Sequence, residues 1–370
     1  MPADSYVFAG GGTGGHLYPA LAIAGEIRKL VPGARICFIG TKGKIESRVV
    51  PAEGYEFRTL WISGLRRSLS PGNLLVPVKA VVSMIQAWIH LRDLRPRVVI
   101  GTGGYVSGPV LLAASMMGIP TLIHEQNSVP GDTTKFLAKR ASEVHVSFEE
   151  TMRRLPPSAK AFVSGNPTRG ILQGADRGEA LKFFGMDPHD GRRVLLVSGG
   201  SLGARPVNSA VLDNIDRVLG MGLRIVWQTG QTDFDRIAAA TRHRSRKDVW
   251  TGAFIDRMDY AYAAADLALC RAGATTIAEL TRLGKPALLV PYPLAAADHQ
   301  TLNARSMEKA GAAVLIIDAA ARQRLVPALE NVLAAGRLDA MARASASLGR
   351  PGAAGVIAKH VLGLNRDRMS

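Results

Sequence analysis

Short, unbroken apolar runs alternate along the chain with stretches whose apolar positions recur at helical spacing. In the first half the runs cover residues 6–9, 35–39, 98–100, 121–124, 144–147 and 161–163; in the second they cover 194–197, 224–228, 248–251, 267–270, 287–290 and 313–317. Apolarity that is continuous, and not confined to every second position, predicts strands covered on both faces. Alternation with helices predicts parallel βαβ units, hence an α/β fold. The series is interrupted at Ser164-Gly165-Asn166-Pro167 and then restarts, so two domains are expected, over residues 1–165 and 166–350. Ligands of such sheets bind outside the carboxyl ends of the strands, and two sheets meeting there predict an interdomain cleft.

One helical pattern stands apart, over residues 74–97. Leu75, Val78, Val82, Ile85 and Ile89 share a stripe, Lys79, Ser83, Gln86, His90 and Asp93 lie opposite, and Val81, Met84, Ala87, Trp88 and Leu91 widen the apolar arc. Arg66, Arg67, Arg92, Arg95 and Arg97 bracket it. Two readings fit: a core helix with solvated ends, or a surface that rests on an anionic membrane.

Composition narrows the field. With 370 residues, 47% hydrophobic and 21% charged, each domain can bury its own core. Cys37 and Cys270 both fall inside apolar runs, which argues against a disulfide framework or a thiolate metal site and for a reducing cytoplasm. The opening residues carry no secretory pattern, and no apolar stretch is long enough to span a bilayer. A net charge of +16 favours anionic partners, namely nucleotide diphosphates, acidic lipid headgroups or nucleic acid. Nucleic acid ranks last, because only 6% of residues are aromatic and none interleave with basic groups as base-stacking surfaces require.

Each half carries a strand, a glycine-rich loop and a helix: Gly10-Gly11-Gly12-Thr13-Gly14-Gly15-His16 follows the first strand and Gly199-Gly200-Ser201-Leu202-Gly203-Ala204 follows the strand at 194–197. Such loops bring backbone N–H groups to a phosphate at the positive end of a helix. The first also satisfies the dinucleotide fingerprint, yet Gly40-Thr41-Lys42-Gly43 after the second strand offers no acid for a ribose hydroxyl. His16, in the first helical turn, is either a general base with a pKa held down by the helix dipole or a structural histidine. Residues 101–109, with four glycines, form another strand-to-helix loop, fit for a diphosphate or simply a tight turn. His124-Glu125-Gln126-Asn127 ends a strand; Glu125 orients a histidine, holds an acceptor hydroxyl, or is an ordinary acid at a helix start. Gly199-Gly200-Ser201-Leu202-Gly203 matches a nucleophile elbow, and Asp266 and His299 follow in hydrolase order, which makes a serine α/β-hydrolase a competing reading. Asp233 and Asp235 read as helix-start acids before they read as cation ligands. Arg271 to Leu280 opens a helix with small residues and sets Glu279 where it can accept ribose hydroxyl protons; Asp298, His299, Gln300 and Asn303 suit sugar hydroxyls.

Taken in order, GGGTGGHLYPALA, GTGGYVSGP, HEQN, SGNPTR, GGSLGAR, RAGATTIAEL and DHQTLNA resemble the MurG family of bacterial N-acetylglucosaminyltransferases, glycosyltransferase family 28, which converts lipid I to lipid II in peptidoglycan synthesis. The resemblance runs from Gly10 to Ala304 and implies a GT-B fold of two Rossmann-like domains facing a deep cleft, with a helix in residues 351–370 packing back on the first domain. It implies inverting transfer from UDP-N-acetylglucosamine to a muramic-acid hydroxyl. No obligatory metal or cofactor is implied. For the donor it implies Ile255 at the uracil by backbone contacts, Glu279 at the ribose, and Ser201 with Ala274, Thr275, Thr276 and Ile277 at the diphosphate. Arg169 lies by the leaving group, Asn127 and Gln300 by the sugar, and Thr13, Gly14 and Gly15 join the donor set. For the acceptor diphosphate it implies Gly14, Gly15, His16, Gly103, Gly104, Tyr105 and Ser107. His16 is the base by this reading, being the one group in its loop with a near-neutral reference pKa, and Glu125 its candidate orienting partner. Membrane contact falls to Leu75, Val78, Val82, Ile85, Trp88, Arg66 and Arg67, on the cytoplasmic face of the inner membrane, with other cell-wall synthesis proteins as further partners. Gly131-Asp132-Thr133-Thr134 and Leu17-Tyr18 depart from the family's usual residues. A glycolipid glycosyltransferase or a UDP-sugar epimerase on the same fold shares the donor site.

Overall fold

The computed structural model describes residues 4–63, 76–168, 174–200 and 202–366. Two compact units divide the chain, Met1–Arg169 with Pro351–Ser370, and Gly170–Arg350. The first unit runs β1 (Ser5–Gly10), α1 (Gly14–Leu30), β2 (Arg35–Gly40), α2 (Ile45–Ala52), β3 (Glu56–Thr59), α3 (Val76–Leu94), β4 (Val98–Gly103), α4 (Ser107–Met116), β5 (Thr121–Glu125), α5 (Asp132–Leu137), β6 (Glu143–Val146), α6 (Glu149–Met152) and β7 (Ala161–Val163). The second continues α7 (Arg177–Phe183), β8 (Arg193–Ser198), α8 (Arg205–Asp213), α9 (Ile215–Gly220), β9 (Leu223–Gln228), α10 (Gln231–Thr241), β10 (Val249–Gly252), α11 (Met258–Ala264), β11 (Leu267–Cys270), α12 (Ala274–Arg282), β12 (Ala287–Leu289), α13 (His299–Lys309), β13 (Ala313–Leu315), α14 (Ala321–Leu333) and α15 (Arg337–Leu348). The final helix, α16 (Ala353–Arg366), belongs to the first unit.

Both sheets are parallel, in the orders β3-β2-β1-β4-β5-β6-β7 and β10-β9-β8-β11-β12-β13. Strand order reverses between β1 and β4 in one and between β8 and β11 in the other, and those two switch points lie where the glycine-rich loops leave the sheets. Strand β1 shows why residues 6–9 are apolar throughout. Tyr6 and Phe8 point into a core with α1 and α16, while Val7 and Ala9 point into another with α3 and α4, as period-two alternation requires. Strand β3 was not expected from the pattern: Glu56 to Thr59 sit on the sheet edge, none fully buried, so apolar residues are not demanded there.

Helix α16 completes the first core by placing Ile357, Ala358 and Val361, each fully buried, beside Leu17, Ile23 and Ile27. A polar clamp fixes it to β6. Glu143 Oε2 accepts from His360 Nδ1 (2.8 Å) and faces His145 Nε2 (3.3 Å), while Oε1 accepts from Lys160 Nζ (2.8 Å). Burial pushes the Glu143 carboxyl up, and the bonds from Lys160, His360 and His145 together outweigh it and bring it below its ordinary value. Burial drives the His145 imidazole down to about 4. Glu143, His145 and His360 are the one group among the described residues with three potential metal ligands in reach, and their atoms already satisfy one another.

The stripe on α3 faces the opposite way from a core stripe. Of the stripe, Val78, Ile85 and Ile89 are each more than half exposed and Val82 is half-buried; Val81 beside it is more than half exposed and Trp88 is 38% exposed, whereas Ser83, Ala87, Leu91 and Leu94 are buried. Polar residues of the other face hold the domain: Gln86 Oε1 accepts from Trp61 N (2.8 Å) and Lys79 Nζ donates to Ser63 Oγ (3.0 Å). Leu75, Arg66 and Arg67 lie outside the described residues. No described helix is long and apolar enough to cross a membrane.

Candidate active site

In the first unit, two loops leave adjacent strands at the switch point. The chain ends β1 at Gly10 and starts α1 at Gly14; β4 ends at Gly103 and α4 starts at Ser107. Their backbones touch. A Cβ on Gly104, whose φ is +82°, would lie 2.5 Å from Gly11 O, and one on Gly103, φ +102°, would lie 2.6 Å from His16 Nδ1. Glycine is required at both on geometry and on space. His16, third residue of α1 and half-buried, thus packs its ring on the β4 loop.

Hydrogen bonds fix that ring. His16 Nδ1 lies 3.0 Å from Thr102 O and 3.1 Å from Gln126 Oε1, and Thr102 Oγ1 donates to His16 O (2.9 Å). No hydrogen bond is made to its Nε2 among the described residues. Glu46, on the first turn of α2 and only 1% exposed, braces the glycine loop: Oε2 accepts from Gly12 N (2.9 Å), and Oε1 accepts from Thr41 N (3.1 Å) and Thr41 Oγ1 (2.7 Å). No acid stands after β2 for a ribose, and the next one in the chain, Glu46, holds the loop itself.

Two expected roles change. Glu125 is buried, and its carboxylate accepts from Asn127 N and Nδ2 (3.1 and 3.3 Å) and from Gly131 N and Thr134 Oγ1 (3.0 and 2.8 Å). It shapes the loop before α5, and the contact to His16 comes from the next residue, Gln126. Ser107 is 2% exposed; its hydroxyl donates toward Ala9 O (2.6 Å) and Gly103 O (2.8 Å) and accepts from Gly103 N (3.0 Å). Those bonds tie β1 to β4 and spend the hydroxyl inside its own loop. Tyr105, by contrast, is 62% exposed.

In the second unit the matching switch point is formed by the loop from β8 to α8 and the short loop from β11 to α12. Gln228 organises it: Nε2 donates to Gly200 O (3.0 Å) and Oε1 accepts from Ile255 N (3.0 Å). That bond engages the Ile255 N–H. Helix α12 begins at Ala274, and the buried Thr275 Oγ1 at that end has no hydrogen-bond partner. Glu279 is buried, not on an exposed turn, and its Oε2 accepts from Tyr262 Oη (2.8 Å). Gln300 Oε1 accepts from Tyr292 N (3.0 Å), which orients its amide NH2 away from that bond. Just before it, Ala297 and Asp298 both hold left-handed backbone (φ 50° and 53°). Arg169 and Ser201 lie outside the described residues.

The hydrolase reading fails on topology. Asp266 precedes β11, where Oδ2 accepts from Val194 N (2.8 Å) and Arg177 Nη2 (2.7 Å). That is the amino end of the sheet, whereas the 199–203 loop leaves the carboxyl end, a strand length or roughly 16 Å away. His299 Nδ1 is engaged with Ala296 O (2.7 Å). Asp233 is buried against Asn208 Nδ2 (2.9 Å) and Arg236 Nε (3.3 Å), a structural role. Burial pushes both cysteine thiols up to about 12, so neither is a nucleophile. Sequence reasoning missed Glu46, Gln126, Gln228 and Tyr262; Gln126 stood inside the HEQN motif, and Glu46 was visible only as an acid opening a short helix.

Residues 6–146 match the model of the glycosyltransferase family 28 N-terminal domain, and residues 194–357 that of the family's C-terminal domain. A protein of Chlorobaculum parvum named UDP-N-acetylglucosamine--N-acetylmuramyl-(pentapeptide) pyrophosphoryl-undecaprenol N-acetylglucosamine transferase is 46% identical over 367 residues, covering 98% of this chain and 99% of its own. Its Chlorobium limicola namesake is 46% identical over 366 residues, covering 97% and 98%. The crystal structure of Acinetobacter baumannii MurG aligns with a TM-score of 0.77 at 30% identity, covering 98% of this chain and 100% of that one. Two Rossmann-like parallel-sheet units of this kind are those of the GT-B fold. The chain is a glycosyltransferase and belongs to glycosyltransferase family 28.

Proposed function

We propose that this enzyme transfers N-acetylglucosamine from UDP-N-acetylglucosamine to the muramic-acid hydroxyl of lipid I, with inversion, giving lipid II. The observation that carries the reading is the division of chemistry between the two switch points. One presents a histidine with an unengaged Nε2 beside a glycine loop; the other presents a helix start with an orphaned buried hydroxyl and a buried acid on the same helix. The donor belongs to the second unit: uracil at the Ile255 carbonyl, ribose at Glu279, diphosphate at Ala274, Thr275, Thr276, Ile277 and Ser201, and sugar at Gln300. The acceptor diphosphate belongs to the loops at Gly14, Gly15, Gly103, Gly104 and Tyr105, with Ser107 acting through the loop it ties.

In the reaction His16 Nε2 removes the acceptor hydroxyl proton as the oxygen attacks the anomeric carbon, and UDP departs from the opposite face. Charge growing on UDP is stabilised by the N-termini of α8 and α12 and by Arg169, so the reading needs no divalent cation. The acceptor's lipid anchor requires a membrane-facing surface. The outward apolar stripe of α3, an exposed patch of the kind that marks an interaction site, supports peripheral attachment at the cytoplasmic face of the inner membrane, aided by the chain's positive charge.

The test is UDP release from UDP-N-acetylglucosamine with and without a lipid I analogue. Release that requires the acceptor is expected; equal release without it overturns the reading. His16→Ala should lower kcat by about 10²–10⁴-fold and leave donor affinity intact.

A further inference from the structure

Two side chains behind His16, Gln126 and His124, form with it a chain of hydrogen bonds whose directions are dictated from its two ends. At the far end His124 Nε2 lies 3.1 Å from Gly165 O. A carbonyl only accepts, so Nε2 carries the proton and Nδ1 the lone pair. The two hydrogens of Gln126 Nε2 are shared among that Nδ1 (2.9 Å), Thr102 O (2.8 Å) and His124 O (3.1 Å). Reversing the amide would set its oxygen against both carbonyls, so its orientation is determined. Gln126 Oε1 is thereby left facing His16 Nδ1, next to a second acceptor, Thr102 O. Gln126 and His124 are 2% and 1% exposed, so water does not compete for these bonds. Burial drives the His124 imidazole down to about 3 and keeps it neutral.

We propose that Gln126, held by His124 and the Thr102 carbonyl, is a positioning residue that sets the tautomer of His16, placing the proton on Nδ1 and leaving the Nε2 lone pair for the acceptor hydroxyl. The inference rests on the reading of His16 as the base. When the hydroxyl proton moves to Nε2, the O–H bonding pair becomes the new glycosidic bond and UDP leaves with the pair of its own bond to the sugar. The imidazolium that results keeps Nδ1–H on two acceptors, which stabilises its charge without moving the ring. Glu125, one residue earlier, plays no part, because its oxygens are spent on Asn127, Gly131 and Thr134.

Nitrogen NMR of the ¹⁵N-histidine-labelled enzyme reads the tautomer directly, the His16 signal being identified by its loss in His16→Ala. The expected result is Nδ1 protonated and Nε2 bare; a wild-type His16 protonated on Nε2 alone overturns the proposal, whatever the variants do. Gln126→Met removes one of two acceptors. It should weaken the tautomer bias about fivefold and lower kcat by about fivefold to tenfold, with the KM for UDP-N-acetylglucosamine unchanged. If Gln126→Met leaves both tautomer ratio and kcat at the parent values, the positioning role is refuted. If the tautomer behaves as expected while His16→Ala retains turnover, the base assignment fails and the positioning by Gln126 stands.

Discussion

Replacing Glu46 by glutamine changes almost no volume and reverses one hydrogen bond. The carboxylate accepts from three donors, Gly12 N, Thr41 N and Thr41 Oγ1, at a site 1% exposed. An amide has one oxygen and one NH2, so in either orientation a backbone N–H faces another N–H. A buried donor left without a partner costs about 1–3 kcal/mol, and each surviving bond falls from the range of charged acceptors, about 1.5–3 kcal/mol, to about 1 kcal/mol. The expected loss is at least about 3 kcal/mol, borne by the loop that carries Gly11 and Gly12. Space allows no easy rearrangement, since a Cβ on Gly11 would already lie 2.5 Å from the Glu46 carboxylate. Amide exchange at Gly12 and Thr41 should accelerate by at least about a hundredfold, and the KM for a lipid I analogue should rise while donor affinity in the other unit is unchanged. Exchange at Gly12 within about threefold of the parent would refute the brace.

Acid should weaken the first unit well above the range of ordinary carboxylates. His124 and His145 are depressed from 6.5 to about 3 and about 4 by burial, so their stabilisation is complete above about pH 6.5 and is lost as pH falls toward those values. Glu143, held below its ordinary 4.5, adds a loss only beneath that. Urea unfolding should show roughly 3 kcal/mol less stability at about pH 5 than at about pH 7, and a constant midpoint would contradict it. Ala297→Gly should raise stability by roughly 0.5–1 kcal/mol by removing left-handed strain from an alanine, read as an increased urea midpoint; a decrease would show the strain is absent. Ile85→Glu, at a position 56% exposed, should abolish flotation with anionic liposomes and leave the thermal midpoint within about 1 °C, whereas retained flotation would take α3 out of the membrane contact.

Where burial covers both faces, the sequence pattern was enough: the runs 6–9, 98–100 and 194–197 inside β1, β4 and β8 are apolar and buried at every position. The edge strand β3 escaped the same reasoning, since one flank of Glu56 to Thr59 meets solvent. Periodicity revealed the stripe on α3 but not its direction, because a stripe packed on a sheet and a stripe turned outward have the same spacing. Only the small buried residues Ser83 and Ala87, on the side where the helix packs against α4, give the direction. At the site, residue type located the loops and His16. It did not say that Glu125 and Ser107 are spent inside their own loops or that Gln126 reaches the ring, because those facts depend on where neighbouring strands end.

Helix α16 makes the first unit discontinuous in the chain, and that has a consequence for synthesis. The ribosome must add the whole of Gly170–Arg350 before the residues that cover Leu17, Ile23 and Ile27 exist, an interval on the order of 10–40 s at ordinary translation speed. During that time the nascent amino-terminal half displays an apolar face that only the end of its own chain will close. The second unit is therefore free to fold first although it is made later, and loss of the last turns of the chain would leave a permanent client for chaperones.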